Sequence, residues 1–245
     1  MDKIPLETSG EESAIRFRDC FSVRYIQSAA TLCRLGYGIE KTIAVSGPPP
    51  QDLLLQHEAF ILNSVLSTVS FLESTVNELY ADAADDVCLP TDEKNEALLR
   101  TIGERWRNEK NFDRAPMISK YQKILAIAGM PPFDEKDQAF ANVRILVGIR
   151  NHFMHYKREW VVIRERGAAA ADEGTTADKF GKVLRKKFAP NPLAAGNLPF
   201  FPDQCLGHGC AEWAIVNSII FTDEFFRRLE LPAPYEGIRD ELKTR

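Results

Sequence analysis

Apolar residues along this chain recur every three or four positions rather than every second one, the spacing of helices that bury one face. The clearest run lies between Asp52 and Ala83. There Leu54, Leu55, Phe60, Ile61, Leu62, Val65, Leu66, Val69, Leu72, Val76 and Leu79 fall repeatedly at i, i+3, i+4 and i+7, which predicts a helix buried along most of its length. Ahead of it, Ser9-Gly10-Glu11-Glu12 reads as a capping box, Ser at the N-cap and Glu at N3. With Phe17, Phe21, Tyr25 and Ala29 at near-helical spacing it predicts a first helix to about Leu35, before Gly36 and Gly38. The short apolar run Thr42–Val45 then meets Ser46-Gly47-Pro48-Pro49-Pro50, where no regular element continues, and a hinge is expected.

Downstream, Pro90-Thr91-Asp92-Glu93 opens a helix to about Arg107, acidic in its first turn and basic in its last, as the helix dipole favours. Met117–Ala128 is another, stopped by Gly129-Met130-Pro131-Pro132. Asp134 is the expected N-cap of a helix from Glu135 to about Tyr156, carrying Phe140, Val143, Leu146, Val147, Ile149, Phe153 and Met154. Gly167–Gly209, with four alanines in a row and several Gly and Pro, is expected to be irregular. Cys210–Leu229 closes the pattern as a helix ended by Pro232 and Pro234. Helices without βαβ alternation predict an all-α bundle. Residues 1–50 form an N-terminal helix and hinge packed on it, 51–230 the helical domain with an insertion at about 164–209, and 231–245 a C-terminal tail.

Composition narrows the function classes. With 44% hydrophobic and 27% charged residues and a net charge of −4, the 245-residue chain has enough apolar surface for a core and no charge excess of the disordered kind. A pI near 5.7 argues against a protein that coats nucleic acid non-specifically, so any nucleic-acid site must be local. The longest apolar stretch, Ala59–Leu72, is broken by Asn63, Ser64, Ser67, Thr68 and Ser70, and the first residues carry no apolar signal segment. A cytoplasmic protein without a membrane span is expected. Five scattered cysteines make a poor disulfide framework and point to free thiols.

One segment carries chemistry: Arg150-Asn151-His152-Phe153-Met154-His155. On a helix Arg150 shares a face with Leu146, Val147, Phe153 and Met154, a permanent charge inside an apolar stripe. Such a guanidinium needs a carboxylate, an anionic ligand or a cleft.

This segment resembles the R-x4-6-H signature of the HEPN superfamily, in which a polar residue such as Asn151 typically follows the Arg. Phe71-Leu72-Glu73-Ser74-Thr75-Val76-Asn77-Glu78-Leu79 is similar to the first long helix of HEPN domains, and the helix order from about Asp52 to Leu229 is similar to their bundle. The resemblance implies an antiparallel HEPN-like bundle with an N-terminal helical extension and a long irregular insertion before the last helix. It further implies a homodimeric, metal-independent endoribonuclease with no cofactor, in which two motif helices share a cleft. RNA cleavage without metal requires deprotonating a ribose 2′-OH, stabilising the phosphorane and protonating the 5′-oxygen, leaving 2′,3′-cyclic phosphate ends. Imidazole suits either proton transfer and an Arg fork matches phosphate oxygens. On this reading His155 is the general base or acid, Arg150 binds phosphate and Asn151 positions. Glu73, Asn77 and Glu78 support the site, and Lys157, Arg158, Lys179, Lys182, Arg185, Lys186 and Lys187 supply a positive rim for RNA. The physiological role would be that of a toxin or antiviral defence effector, with a regulatory or antitoxin partner.

Other readings stay open. Arg150 pairs with Glu73 or Glu78 as a buried structural link in one of them, and the lysine run is a solvated face. In another, the bundle dimerises or binds nucleotide without cleaving. His152 lies off the motif spacing and reads as an exposed or capping residue, and His57 as a surface residue near a helix start. Cys205, His208 and Cys210 offer three zinc-type ligands at a spacing that matches no common site, and no metal is assigned to them.

Overall fold

The computed structural model describes residues 19–46, 49–85, 93–108, 114–163 and 169–245. The capping box at Ser9–Glu12 lies outside them. Among the described residues are seven α-helices: α1 (Phe21–Ser46), α2 (Gln51–Ala84), α3 (Glu93–Asn108), α4 (Met117–Ile127), α5 (Gln138–Met154), α6 (Thr176–Leu184) and α7 (His208–Leu229). A two-stranded antiparallel ribbon, β1 (Val161–Ile163) with β2 (Ala169–Ala171), interrupts them between α5 and α6. Among the described residues the fold is all-α apart from that ribbon.

The predicted central helix is α2, within a residue of its expected bounds. Ile61, Val65, Val69, Phe71, Leu72, Val76 and Tyr80 are buried along it, and α1, α3, α4, α5 and α7 all pack on it. The buried hydroxyls along it do not break it, because each finds a carbonyl. Thr68 Oγ1 donates to Ser64 O at 2.8 Å, Thr75 Oγ1 to Phe71 O at 2.8 Å, and Ser64 Oγ crosses to Ala29 O on α1 at 2.8 Å. By length and composition α2 also meets the requirements of a membrane span; half of its most apolar window is buried in this fold.

α1 lies antiparallel to α2 and does not stop at Leu35. It continues through Gly36 and Gly38, and Thr42–Val45 are its last turn instead of a separate run before a hinge. The reason is packing: Gly36 faces Ile61, and a Cβ there would lie 3.2 Å from Ile61 Cγ1, so the missing side chain lets the helices approach. At the other end of the pair Glu78 accepts from Ser22 N at 2.9 Å and from Ser22 Oγ, satisfying α1's first turn.

The second layer is aromatic. Tyr121 on α4 lies edge-on to Phe221 and Phe225 of α7 at 4.9 and 4.7 Å, and its hydroxyl donates to Leu72 O at 2.7 Å. Phe133 and Phe140 stack at 5.6 Å beside them. α5 begins at Gln138 with Asp137 as N-cap, not at Glu135 after Asp134: the Asp134 carboxylate caps a preceding turn by accepting from Lys136 N. It ends at Met154, since His155 leaves helical geometry (φ −119°, ψ 39°).

Of the stretch expected to be irregular, residues 169–209 are more ordered than their composition predicts. Thr175 caps α6, accepting from Asp178 N at 3.2 Å. The tail also folds back. A 3-10 turn, Glu236–Leu242, follows buried Tyr235, and Arg245 clamps Glu212 of α7 at 2.9 and 2.7 Å. That hydrogen-bonded guanidinium, with Thr244, outweighs burial and lowers the Glu212 carboxyl.

The α2–α3 contact depends on one missing methyl group. A Cβ at Gly103 would fall 2.6 Å from the Ala83 carbonyl carbon, which is backbone and cannot turn aside. Gly103→Ala should therefore destabilise by about 1–3 kcal/mol despite alanine's better helix propensity. Urea denaturation checks this; a more stable variant would show that the helices separate freely.

Candidate functional site

The motif residues stand together at the carbonyl end of α5. Ile149 is buried, anchoring the last turns against the core, and the next residues turn outward. Asn151 and His155 are exposed, and the His155 N–H closes the helix on Asn151 O at 3.0 Å. Arg150 is at the rim of the apolar stripe and not inside it: Leu146 is buried, Val147 and Phe153 are half-buried, and Met154 is 58% exposed.

The Arg150 guanidinium has two contacts. Nη1 donates to Asn151 Oδ1 at 3.0 Å and Nη2 to Glu73 Oε2 on α2 at 3.4 Å. With the side chains 32% and 42% exposed, this is a long pair in contact with water, not a buried structural link.

Of the three supporting residues expected on α2, the structure brings only Glu73 to the motif. Asn77 accepts from Lys120 Nζ on α4 at 2.7 Å, and Glu78 caps α1 through Ser22. Both are taken up in helix packing, since a helix turns by 100° per residue and spreads positions 73, 77 and 78 over different neighbours.

His152 is not the exposed or capping residue its off-motif position predicts. Its ring lies in an aromatic cluster, 5.1 Å from Phe201, 5.4 Å from Tyr156 and 6.1 Å from both Phe153 and Phe180, with Nε2 buried and without a hydrogen-bond partner. This cluster joins α6 to α5: a Cβ at Gly148 would sit 3.1 Å from Phe180 Cζ, so the glycine leaves room for that ring.

His57 is likewise interior, at 2% exposure, with Nε2 2.9 Å from Glu40 Oε1. The same carboxylate oxygen accepts from His208 N at 2.7 Å, so Glu40 ties α1, α2 and the start of α7 together. A histidine six residues into an exposed-looking helix start gives no sign of that partner, which lies 17 positions away on α1. His208 Nε2 faces Thr244 O at 3.1 Å and its ring lies on Tyr37. Cys205 and Cys210 are buried against each other, and burial first, then Cys210, pushes the Cys205 thiol up. Burial, with Glu212 and Glu40 nearby, likewise pushes Cys33 to about 12. Raised in this way, the Cys33 and Cys205 thiols stay protonated at neutral pH. Among the described residues no three His, Cys, Asp or Glu side chains converge on a metal-ion position.

The basic residues divide into two groups. Lys157 and Arg158, two and three residues after His155, are exposed and form no ion pair among the described residues. Lys179, Lys182, Arg185, Lys186 and Lys187 belong to α6 and the turn after it. Lys182 is held by Asp178 at 2.7 Å, Arg185 lies over Phe200 at 5.2 Å, and Lys187 is half-buried. What links the groups is Glu159, which sequence reasoning missed: its carboxylate accepts from Thr176 N at 3.1 Å and Ala177 N at 2.9 Å, capping α6 from the segment that follows the motif. Burial would raise this carboxyl, but the two backbone donors overcome it and the net shift is downward.

A separate open depression of about 520 Å³ lies at the other end of α5, between Pro131, Asp137, Glu224, Arg227 and Arg228. Its charges answer one another. Arg228 reaches Glu224, Asp137 and Pro131 O, and the hydrogen-bonded Arg227, with Arg228, holds Glu224 down to about 2.

Comparison with protein-family models, curated proteins and solved structures gives no match to this chain. The likeness to HEPN proteins therefore rests on the motif and helix order themselves.

Two outcomes follow from this geometry. Arg150→Met should shift stability by no more than about 1 kcal/mol, as for an exposed pair. A loss of 3–5 kcal/mol in urea, rescued by Glu73→Leu, would instead mark a buried link. Glu159→Gln should lower the melting temperature at neutral pH by weakening the α6 cap. Because the folded carboxyl is depressed, its contribution is complete above the unfolded value of about 4.3 and is lost as pH falls through the folded value. The gap between wild type and variant should close in that acidic window.

Proposed function

We propose that this protein is a metal-independent endoribonuclease of HEPN type. The observation that carries the reading is the grouping of Arg150, Asn151 and His155 at one solvent-facing helix end, with the cations Lys157 and Arg158, unpaired among the described residues, just beyond Tyr156. Arg150, engaged among the described residues by Asn151 and a long contact to Glu73, can exchange these for phosphate oxygens at small cost, because a solvated pair of this kind is worth little. Asn151 orients the guanidinium by accepting from it.

His155 supplies the proton transfer. As base, imidazole takes the 2′-OH proton while the alkoxide attacks the adjacent phosphorus; as acid, imidazolium protonates the leaving 5′-oxygen. One site holds one such histidine, and a second copy of the chain, with its motif facing the first, supplies the other role. The dimer contact must use what the fold leaves free, since α2 is given over to the core. Exposed apolar side chains that such a contact can use include Met154 at the end of α5 and Val216 and Ile220 on α7, 43% and 51% exposed. In the cell such an enzyme would act in the cytoplasm as a toxin or defence effector under a regulatory partner.

A second reading, a HEPN-like module that dimerises or binds nucleotide without cleaving, has one observation on its side: the Arg150 fork is occupied within the chain. The two separate in one assay. With EDTA present, the wild-type protein should cut RNA to 2′,3′-cyclic phosphate ends, and Arg150→Ala or His155→Ala should lower the rate by about 10²–10⁴-fold with melting unchanged. Equal rates in wild type and variants would remove the assignment, and binding without cutting would favour the module. Sedimentation at micromolar concentration should show a dimer.

A further inference from the structure

The segment after α5 keeps three large side chains in water within seven residues. Met154 is 58% exposed, Tyr156 56% and Trp160 84%, and between them stand the exposed cations Lys157 and Arg158. Single apolar residues on a surface need no explanation, but a group of them beside free charge marks a contact surface.

The segment is also held in place. Glu159 is fixed to the N-terminus of α6 by its two backbone hydrogen bonds, and the Trp160 carbonyl accepts from Asp172 N at 3.3 Å. Tyr156 stands edge-on to His152 at 5.4 Å and 87°, and His152 is itself wedged against Phe201 and Phe180. Two aromatic rings are thus presented from a fixed backbone with cations between them, one residue beyond the proposed catalytic histidine. Every nucleobase has a face that can stack on such a ring, and only unpaired bases expose it; Lys and Arg alongside neutralise the phosphates. A membrane contact would call for a continuous apolar helix face, which this non-helical, cation-interleaved segment lacks.

We propose that Tyr156 and Trp160 form a base-stacking subsite that receives unpaired bases of single-stranded RNA, with Lys157 and Arg158 on its phosphates. The choice of RNA rests on the ribonuclease reading, whereas the stacking surface stands on the geometry alone. His152 is a positioning residue for Tyr156.

The test uses the full-length chain carrying His155→Ala and a labelled oligouridylate of about twelve nucleotides, long enough for a few stacked bases. Wild type with the oligothymidylate of the same length, which has no 2′-OH to attack, is the parallel probe. Binding should quench tryptophan fluorescence. Of the three tryptophans, Trp106 is stacked on Tyr80 and Trp213 is 8% exposed, so the quench should disappear in Trp160→Phe and persist in Trp213→Phe. Tyr156→Ala and Trp160→Ala should each weaken binding by about 5- to 100-fold without moving the melting temperature, Trp160→Phe less, and duplex of the same length should bind far more weakly. Lys157→Ala should reduce the salt dependence of binding by roughly 0.7 in slope. Equal binding by the alanine variants, equal affinity for duplex, or quenching by anionic vesicles with none by oligonucleotide would each overturn the proposal. The two readings fail separately. Wild type that binds but does not cut removes the nuclease and leaves the subsite. Wild type that cuts, with Tyr156→Ala and Trp160→Ala binding and cutting equally well, removes the subsite and leaves the nuclease.

Discussion

The fold depends on covering α2. A 34-residue helix with buried apolar residues on several faces cannot sit at the edge of a bundle, so the other helices are arranged around it. That requirement sets the closeness of α1, which Gly36 permits, and of α3, which Gly103 permits. It also explains the hydroxyls: Ser64, Thr68 and Thr75 lie where water is excluded, and each closes on a carbonyl instead of opening the core to solvent. Charged groups near the core are few and tied. Glu40 serves both His57 and the first N–H of α7, so three helices share one carboxylate. Lys120, almost without exposure, donates to Asn77 and extends over the Trp106 ring.

The candidate site obeys the opposite constraint. It is built where α5 runs out of core, and its polar groups are those that remain near water. An arginine sealed in the apolar stripe would be committed to one carboxylate, since stripping the partner from a buried charge is costly. At the rim, a 3.4 Å contact to Glu73 holds the side chain in position without sealing it from water. The carbonyl end of a helix, moreover, favours cations, and Arg150, Lys157 and Arg158 all gather there.

How much of this was legible in the sequence follows from which distances the pattern spans. Helical periodicity is local, so α2 and α4 are found within a residue or so, and α7 begins only two residues early, at His208. Ends set by tertiary packing, or by a choice between neighbouring carboxylates, are not: α1 passes Gly36 because Ile61 is across from it, and α5 starts late because the Asp134 carboxylate is taken by Lys136 N while Asp137 stands at the N-cap position. The same division holds at the site. Arg150, Asn151 and His155 are neighbours in sequence and are found together. Asn77 and Glu78, placed near them by their proximity to Glu73, go to Lys120 and Ser22, which no spacing rule connects to them. His57 and His152 looked superficial because their partners Glu40, Phe180 and Phe201 arrive only through the tertiary fold. Trp160, followed by Val161, Val162 and Ile163, carries no sign of exposure in the sequence, and only the fold shows its ring in water.

The two constraints leave the molecule with a division of labour that bears on how its chemistry can vary. The core around α2 is a network in which most side chains touch several helices, so substitutions there couple and destabilise. The site is joined to that network at few points: Ile149 in the α5 stripe, the Glu73 contact, and the aromatic cluster in which His152, Phe180 and Phe201 bring α6 against α5. Beyond those points Asn151, His155, Lys157, Arg158 and Trp160 rest on backbone hydrogen bonds and the Glu159 cap rather than on buried side-chain area. A surface held in this way keeps its geometry through main-chain contacts while its side chains are replaced. Changes in what the site recognises are therefore separable from changes in stability, and the one side chain that belongs to both is His152, buried at Nε2 and bearing Tyr156 on its outer edge.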